Sequence, residues 1–95
     1  MITQHGVLKD YSGTISSGGT AQDVYSDSQT PKAFVNFQNT SDTAMWIRFG
    51  AVAVADKGIY IPAGGYWEAP VGFLPSGRMS VLCATTGKKF ACNVA

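Results

Sequence analysis

The chain has 95 residues, of which 45% are hydrophobic and only 14% charged, and its seven basic and six acidic residues leave a formal net charge of +1. That length holds one domain, residues 1–95, with one core. Such a chain buries about 60–65% of the surface that it exposes when unfolded. The charges are scattered and form no basic stripe, which argues against a nucleic-acid partner. The longest apolar stretch, residues 49–55, falls far short of the ~18 residues needed to cross a bilayer.

A charged fraction this far below the roughly 25% of ordinary soluble domains predicts that a partner covers part of the surface. The first six residues, Met1-Ile-Thr-Gln-His-Gly6, lack a basic region followed by an apolar one. No signal peptide is therefore expected, and the chain is expected to be made in a cytoplasm.

Residues 1–9 precede the first firm turn and are expected to form an extended N-terminal arm, able to add a strand to a neighbour. Residues 7–15 and 21–25 flank Ser16-Ser-Gly-Gly19 and predict a hairpin, followed by a polar loop over 26–31. Residues 33–39 alternate strictly, with Ala33, Val35 and Phe37 on one face and Phe34, Asn36 and Gln38 on the other. Residues 44–49 alternate in the same way, setting Met45, Ile47 and Phe49 against Ala44, Trp46 and Arg48. The turn-forming Asn39-Thr-Ser-Asp42 between these runs predicts that they pair as a central hairpin.

Residues 51–56 are rich in helix formers but carry neither a cap nor a 3.6-residue stripe. A short strand at 58–61 ends at Pro62, and extended structure resumes at 66–69 after Ala63-Gly-Gly65. Beyond a longer loop at 71–77, residues 79–84 and 89–94 predict a closing hairpin through Thr85-Thr-Gly-Lys88. The sum is an all-β chain of about seven or eight short strands. It predicts an antiparallel β-sandwich, jelly-roll or immunoglobulin-like, with a small barrel as the other solution.

Catalytic chemistry needs a nucleophile and base, paired carboxylates or metal ligands. His5 is the sole histidine, so Ser-His and Cys-His schemes lack a base. The carboxylates Asp10, Asp23, Asp27, Asp42, Asp56 and Glu68 match no calcium-loop spacing, and two cysteines with one histidine do not fill a zinc site. No enzyme activity, cofactor or metal is expected. Cys83 and Cys92 are expected as small buried thiols. Asn39-Thr-Ser41 matches an N-glycosylation acceptor, without meaning in a chain that lacks a signal peptide.

The remaining candidates are aromatic. Tyr60, Tyr66 and Trp67 with Glu68 compose a candidate binding surface, on which rings could stack against sugars while the carboxylate accepts hydroxyl hydrogen bonds. The competing expectation puts Trp67 and Trp46 in the core or a subunit interface. Arg48 is expected to pair with Glu68.

Several phrases stand together: Ile15-Ser-Ser-Gly-Gly-Thr-Ala-Gln22, Val35-Asn-Phe-Gln-Asn-Thr-Ser-Asp42, Met45-Trp-Ile-Arg-Phe-Gly50, Gly58-Ile-Tyr-Ile-Pro-Ala-Gly-Gly65 with Trp67-Glu68, and Ala84-Thr-Thr-Gly-Lys-Lys-Phe90. In this order they resemble small virion-associated β-sandwich proteins of tailed bacteriophages, over residues 15–90. The resemblance implies a head decoration (cement) protein that binds the major capsid protein and stabilises the head. It implies assembly in the host cytoplasm, residence in the virion, and a homo-oligomer, with a trimer suiting local three-fold positions. The other role it allows is a receptor- or carbohydrate-binding domain of a tail, neck or fibre.

Overall fold

The computed structural model describes residues 8–29, 31, 33–70 and 72–95. Its elements are β1 (Lys9–Asp10), β2 (Gly13–Thr14), β3 (Gln22–Tyr25), a 3-10 turn (Asp27–Gln29), β4 (Val35–Asn39), β5 (Met45–Phe49), β6 (Ile59–Ile61), β7 (Tyr66–Glu68), β8 (Met79–Cys83) and β9 (Lys89–Val94). Two antiparallel sheets result. One has the order β1-β9-β4-β7, with β2 also on β9, and the other has the order β3-β8-β5-β6. Of the expected arm over residues 1–9, Lys9 sits in β1, while residues 1–7 lie outside the described residues.

β1 and β2 keep one register along β9, with Asp10 opposite Asn93 and Gly13 opposite Phe90. Between them the Tyr11 N–H donates to the Cys92 carbonyl. The Cys92 N–H donates in turn to Ser12 Oγ at 3.1 Å. A hydroxyl thus takes over where the backbone ladder is interrupted.

The chain pairs in nested order. β5 turns back on β6 through residues 50–58. Outside that hairpin β4 pairs β7, β3 pairs β8, and β1 with β2 pairs β9. This long ribbon is then rolled so that β4 meets β9 and β5 meets β8.

Three expected hairpins are thereby corrected. The runs before and after Ser16-Ser-Gly-Gly19, Asn39-Thr-Ser-Asp42 and Thr85-Thr-Gly-Lys88 fall in opposite sheets and do not pair with each other. These links are corners, and each is bonded to a neighbouring segment of the ribbon. The Ile15 N–H donates to the Lys88 carbonyl, the Gly87 N–H to the Ile15 carbonyl, and the Gly19 N–H to the Cys83 carbonyl. Gly18 makes this approach feasible, because a Cβ there would stand 2.5 Å from the Ala84 carbonyl oxygen. At the next corner the buried Asn39 side chain donates to the carbonyls of Thr43 at 2.7 Å and Ile61 at 3.2 Å. Its Oδ1 accepts from the Ser41 N–H at 3.0 Å. That accounts for a polar residue with no exposure at a strand end, and it buries the would-be glycosylation asparagine.

The core lies between the sheets. Ile15, Val35, Phe37, Phe90, Cys92 and Val94 meet Tyr25, Met45, Ile47, Ile61, Met79, Val81 and Cys83 there. The alternation expected for β4 and β5 holds, since Val35, Phe37, Met45 and Ile47 are buried. Phe37 stacks on Phe90 with centroids 5.3 Å apart.

Candidate functional site

Alternation decides what each sheet shows to the outside. In β5 the buried Met45 and Ile47 force Trp46 outward. Trp46 lies opposite Tyr60 of β6 on one side and Leu82 of β8 on the other. The two rings touch in a tilted arrangement, with centroids 4.9 Å apart, a geometry in which ring edge meets ring face. Tyr60 keeps half its surface exposed.

Further along the same face, residues 50–58 fold back over the sheet. Ala53 is buried there, and its N–H donates to the buried Ser80 Oγ at 3.0 Å. Val52 and Val54, on either side of Ala53, are left exposed. Gly58 ends this segment with φ +87, and a Cβ there would lie 2.6 Å from the Ile47 carbonyl oxygen. The outer face of the β3-β8-β5-β6 sheet is therefore apolar around Trp46, Tyr60 and Leu82, with two exposed valines in the loop that folds over it. Arg78 and Asp23, 3.7 Å apart, form an ion pair near the β3–β8 side.

The outer face of the other sheet has the opposite character. A row of polar side chains crosses all four strands: Asp10 opposite Asn93, Asn93 opposite Asn36, and Asn36 opposite Glu68. The adjacent row sets Ala91 opposite Gln38, and Gln38 opposite Tyr66. Asn36 Oδ1 accepts from the Asn93 backbone N–H at 2.9 Å, and Asn36 Nδ2 reaches the Tyr66 hydroxyl at 3.4 Å. Hydrogen bonds from Ser12 hold the Asp10 carboxyl below its usual pKa.

The four aromatic-surface candidates are divided by this architecture. Tyr66 and Glu68 share the polar face. Tyr60 stands on the apolar face of the opposite sheet, beside Trp46. Trp67, opposite Phe37, turns inward, packs against the core and meets the Phe49 ring at 5.3 Å. The two tryptophans thus have different fates: Trp67 closes the open side of the core and Trp46 faces out. The expected Arg48–Glu68 pair is corrected, because these residues stand on the outer faces of different sheets. Arg48 instead approaches the Val52 carbonyl at 3.5 Å.

The sequence-derived surface names none of Trp46, Leu82, Asn36, Gln38 and Asn93, although alternation sets Asn36 and Gln38, and likewise Trp46, apart from their apolar neighbours. Only the cross-strand register brings them together.

Elsewhere, a shallow depression of about 270 Å³ is lined by Thr40, Ser41, Asp42, Gly87, Lys88 and Lys89. Within it Lys88 Nζ sits 2.7 Å from Asp42 Oδ1 and holds that carboxyl below its ordinary pKa. Cys83 and Cys92 are free and buried, as expected, and burial pushes the Cys92 thiol up to about 12. A thiol that holds its proton this firmly is a poor nucleophile. Tyr25 is buried, and its hydroxyl has no hydrogen-bond partner among the described residues. His5 lies outside the described residues. Among the described residues no three His, Cys, Asp or Glu side chains converge as metal ligands, and no helix is long and apolar enough to cross a membrane.

Two antiparallel sheets pack on one shared core, one with an apolar cluster on its outer face and the other with a row of polar side chains. Comparison of the chain with protein-family models, with curated proteins and with solved structures returns no match.

Proposed function

We propose that this chain is a bacteriophage virion structural protein, a head-decoration (cement) domain that binds the major capsid protein and stabilises the head. The observation that carries the proposal is the unlike character of its two outer faces. Trp46, Tyr60 and Leu82, with the exposed Val52 and Val54 nearby, supply a surface that gains free energy when it leaves water. The Asp10–Asn93–Asn36–Glu68 face is content in solvent. A domain fixed to a shell needs one surface of each kind. Large aromatics in contact at the centre of a patch are the side chains that dominate binding energy at protein interfaces.

The order of the strands supports reading the sandwich as a jelly roll. Nested pairing of β1/β2 with β9, β3 with β8 and β4 with β7 around the β5–β6 hairpin is a ribbon rolled into two sheets. This architecture recurs in viral capsid and lectin domains. The phrases shared with small phage virion proteins point the same way, although fold alone does not fix function. In this reading the role is one of packing. It uses no catalytic group or cofactor and places the protein in the virion as a homo-oligomer, with a trimer favoured by local three-fold sites.

The test is direct. Particles of the phage that encodes the chain, purified and washed in high salt, are expected to retain it in proportion to the major capsid protein. Its absence from washed particles would overturn the proposal.

A further inference from the structure

We propose that the outer face of the β1-β9-β4-β7 sheet binds a neutral, linear oligosaccharide, with Tyr66 as the stacking ring and Asn36, Gln38, Glu68 and Asn93 as hydroxyl partners. The surface composition motivates this. Three neighbouring outward positions in β4 and β9 carry amides, Asn36, Gln38 and Asn93. Each amide both donates and accepts, as does each sugar hydroxyl. Charged groups enter only at the borders of the patch: Asp10 and Glu68 at the two ends of the polar row, and the exposed Lys89 at the start of β9. Carboxylates at both ends of the row disfavour an anionic glycan and accept hydrogen bonds from a neutral one.

Geometry adds a platform. Tyr66 stands opposite Gln38, yet its hydroxyl reaches Asn36 Nδ2, which belongs to the neighbouring row. The side chain therefore leans diagonally along the sheet instead of standing away from it. Half of its surface stays exposed, leaving ring area for the C–H face of a pyranose. Asn36 is itself tied to Asn93 through Oδ1, so the polar row is ordered before a ligand arrives. Such preorganisation lowers the entropic cost of binding. On the far side of Gln38, Ala91 contributes only a methyl group and keeps that part of the row low. Four strands at ~4.8 Å spacing span about 14 Å, enough for about three sugar rings in line.

This inference does not depend on capsid docking and is tested on the isolated chain. Amide NMR titrations with maltohexaose, cellohexaose and chitohexaose are expected to give shifts for at least one of them, confined to Asn36, Gln38, Tyr66, Glu68, Ala91 and Asn93. Tyr66→Ala is expected to weaken that binding by about tenfold or more, the scale of one lost anchor. Tyr60→Ala, on the opposite face, is expected to leave it unchanged. Glu68→Gln, which keeps shape and hydrogen-bonding capacity, provides a second variant with an intact fold and is expected to reduce affinity severalfold. No shift with any of the three sugars at about 10 mM, shifts centred on Trp46 and Tyr60, or full binding by both Tyr66→Ala and Glu68→Gln would overturn the proposal.

Discussion

The outer faces of the two sheets are built on the same alternation, yet their centres present different chemistry. On the β3-β8-β5-β6 sheet the outward residues include the apolar cluster Trp46, Tyr60 and Leu82, with Arg48 and Asp23 further along the same face, and a returning loop buries Ala53 against Ser80. On the β1-β9-β4-β7 sheet they are Asp10, Asn93, Asn36, Glu68, Gln38 and Tyr66. The shared core cannot cause this difference, because inward positions on both sheets are apolar. It lies entirely in the residues that folding does not require. If the proposed docking holds, the apolar cluster meets a partner and the polar row meets solvent.

The largest effect on the comparison comes from removing what both faces share. Phe37 is fully buried and stacks on Phe90. Phe37→Ala is expected to cost about 3–5 kcal/mol in denaturant unfolding and to blur both faces at once. A smaller loss would show that the sheets are less interdependent than their common core implies.

Ser80→Ala separates the faces. It leaves the buried Ala53 N–H without its acceptor and is expected to cost about 1–3 kcal/mol. Hydrogen exchange should quicken at Ala53 while amides of β4 and β9 stay protected. Equal loss of protection in both sheets would contradict a local role for this bond.

Alkaline pH probes the interior between them. The Cys92 thiol keeps its proton to about pH 12 in the fold, against an ordinary value of 9.0, and burial raises the Tyr25 hydroxyl above 10.0. From about pH 9 upward the unfolded chain releases protons that the fold retains. Stability is therefore full below pH 9 and falls as pH rises toward 12. Urea midpoints across that range check this, and Cys92→Ala should flatten the decline at its onset.

The smallest effect is expected from Tyr25→Phe. Removing a buried hydroxyl that has no partner among the described residues should leave stability unchanged or raise it by up to about 1 kcal/mol. A clear loss would mean that a bound water satisfies the hydroxyl.

Much of this molecule is legible in its sequence. Alternation in residues 33–39 and 44–49 separates Val35 and Phe37 from Asn36 and Gln38, and Met45 and Ile47 from Trp46 and Arg48, as the sheets do. Ala33, however, is exposed, and Trp46, expected in the core or an interface, faces out. What alternation cannot give is the sheet to which a strand belongs. Four polar residues between two strands fit a hairpin and a corner equally well, and Asn39-Thr-Ser-Asp42 is a corner because the Asn39 side chain caps carbonyls on both of its sides. Among the described residues, the one hairpin of consecutive strands, β5 with β6, runs through the longer segment 50–58, whose folding back over Ser80 no local signal announces. Nearness in sequence also does not give nearness on a face, because residues 62–65 carry the chain from one sheet to the other. Tyr60 and Tyr66, close in sequence, came out on opposite sides of the molecule, and Trp67 was drawn inward between them.

Those two tyrosines supply the most direct test of the central claim. In the free chain Tyr60 and Tyr66 are equally exposed, at 52% each, on opposite faces. Hydroxyl-radical footprinting should therefore oxidise them at similar rates in the isolated protein. On assembled particles the account predicts strong protection of Tyr60 and of Trp46 beside it, with Tyr66 as reactive as before. Protection of Tyr66 with Tyr60 left open, or no protection of either, would contradict it.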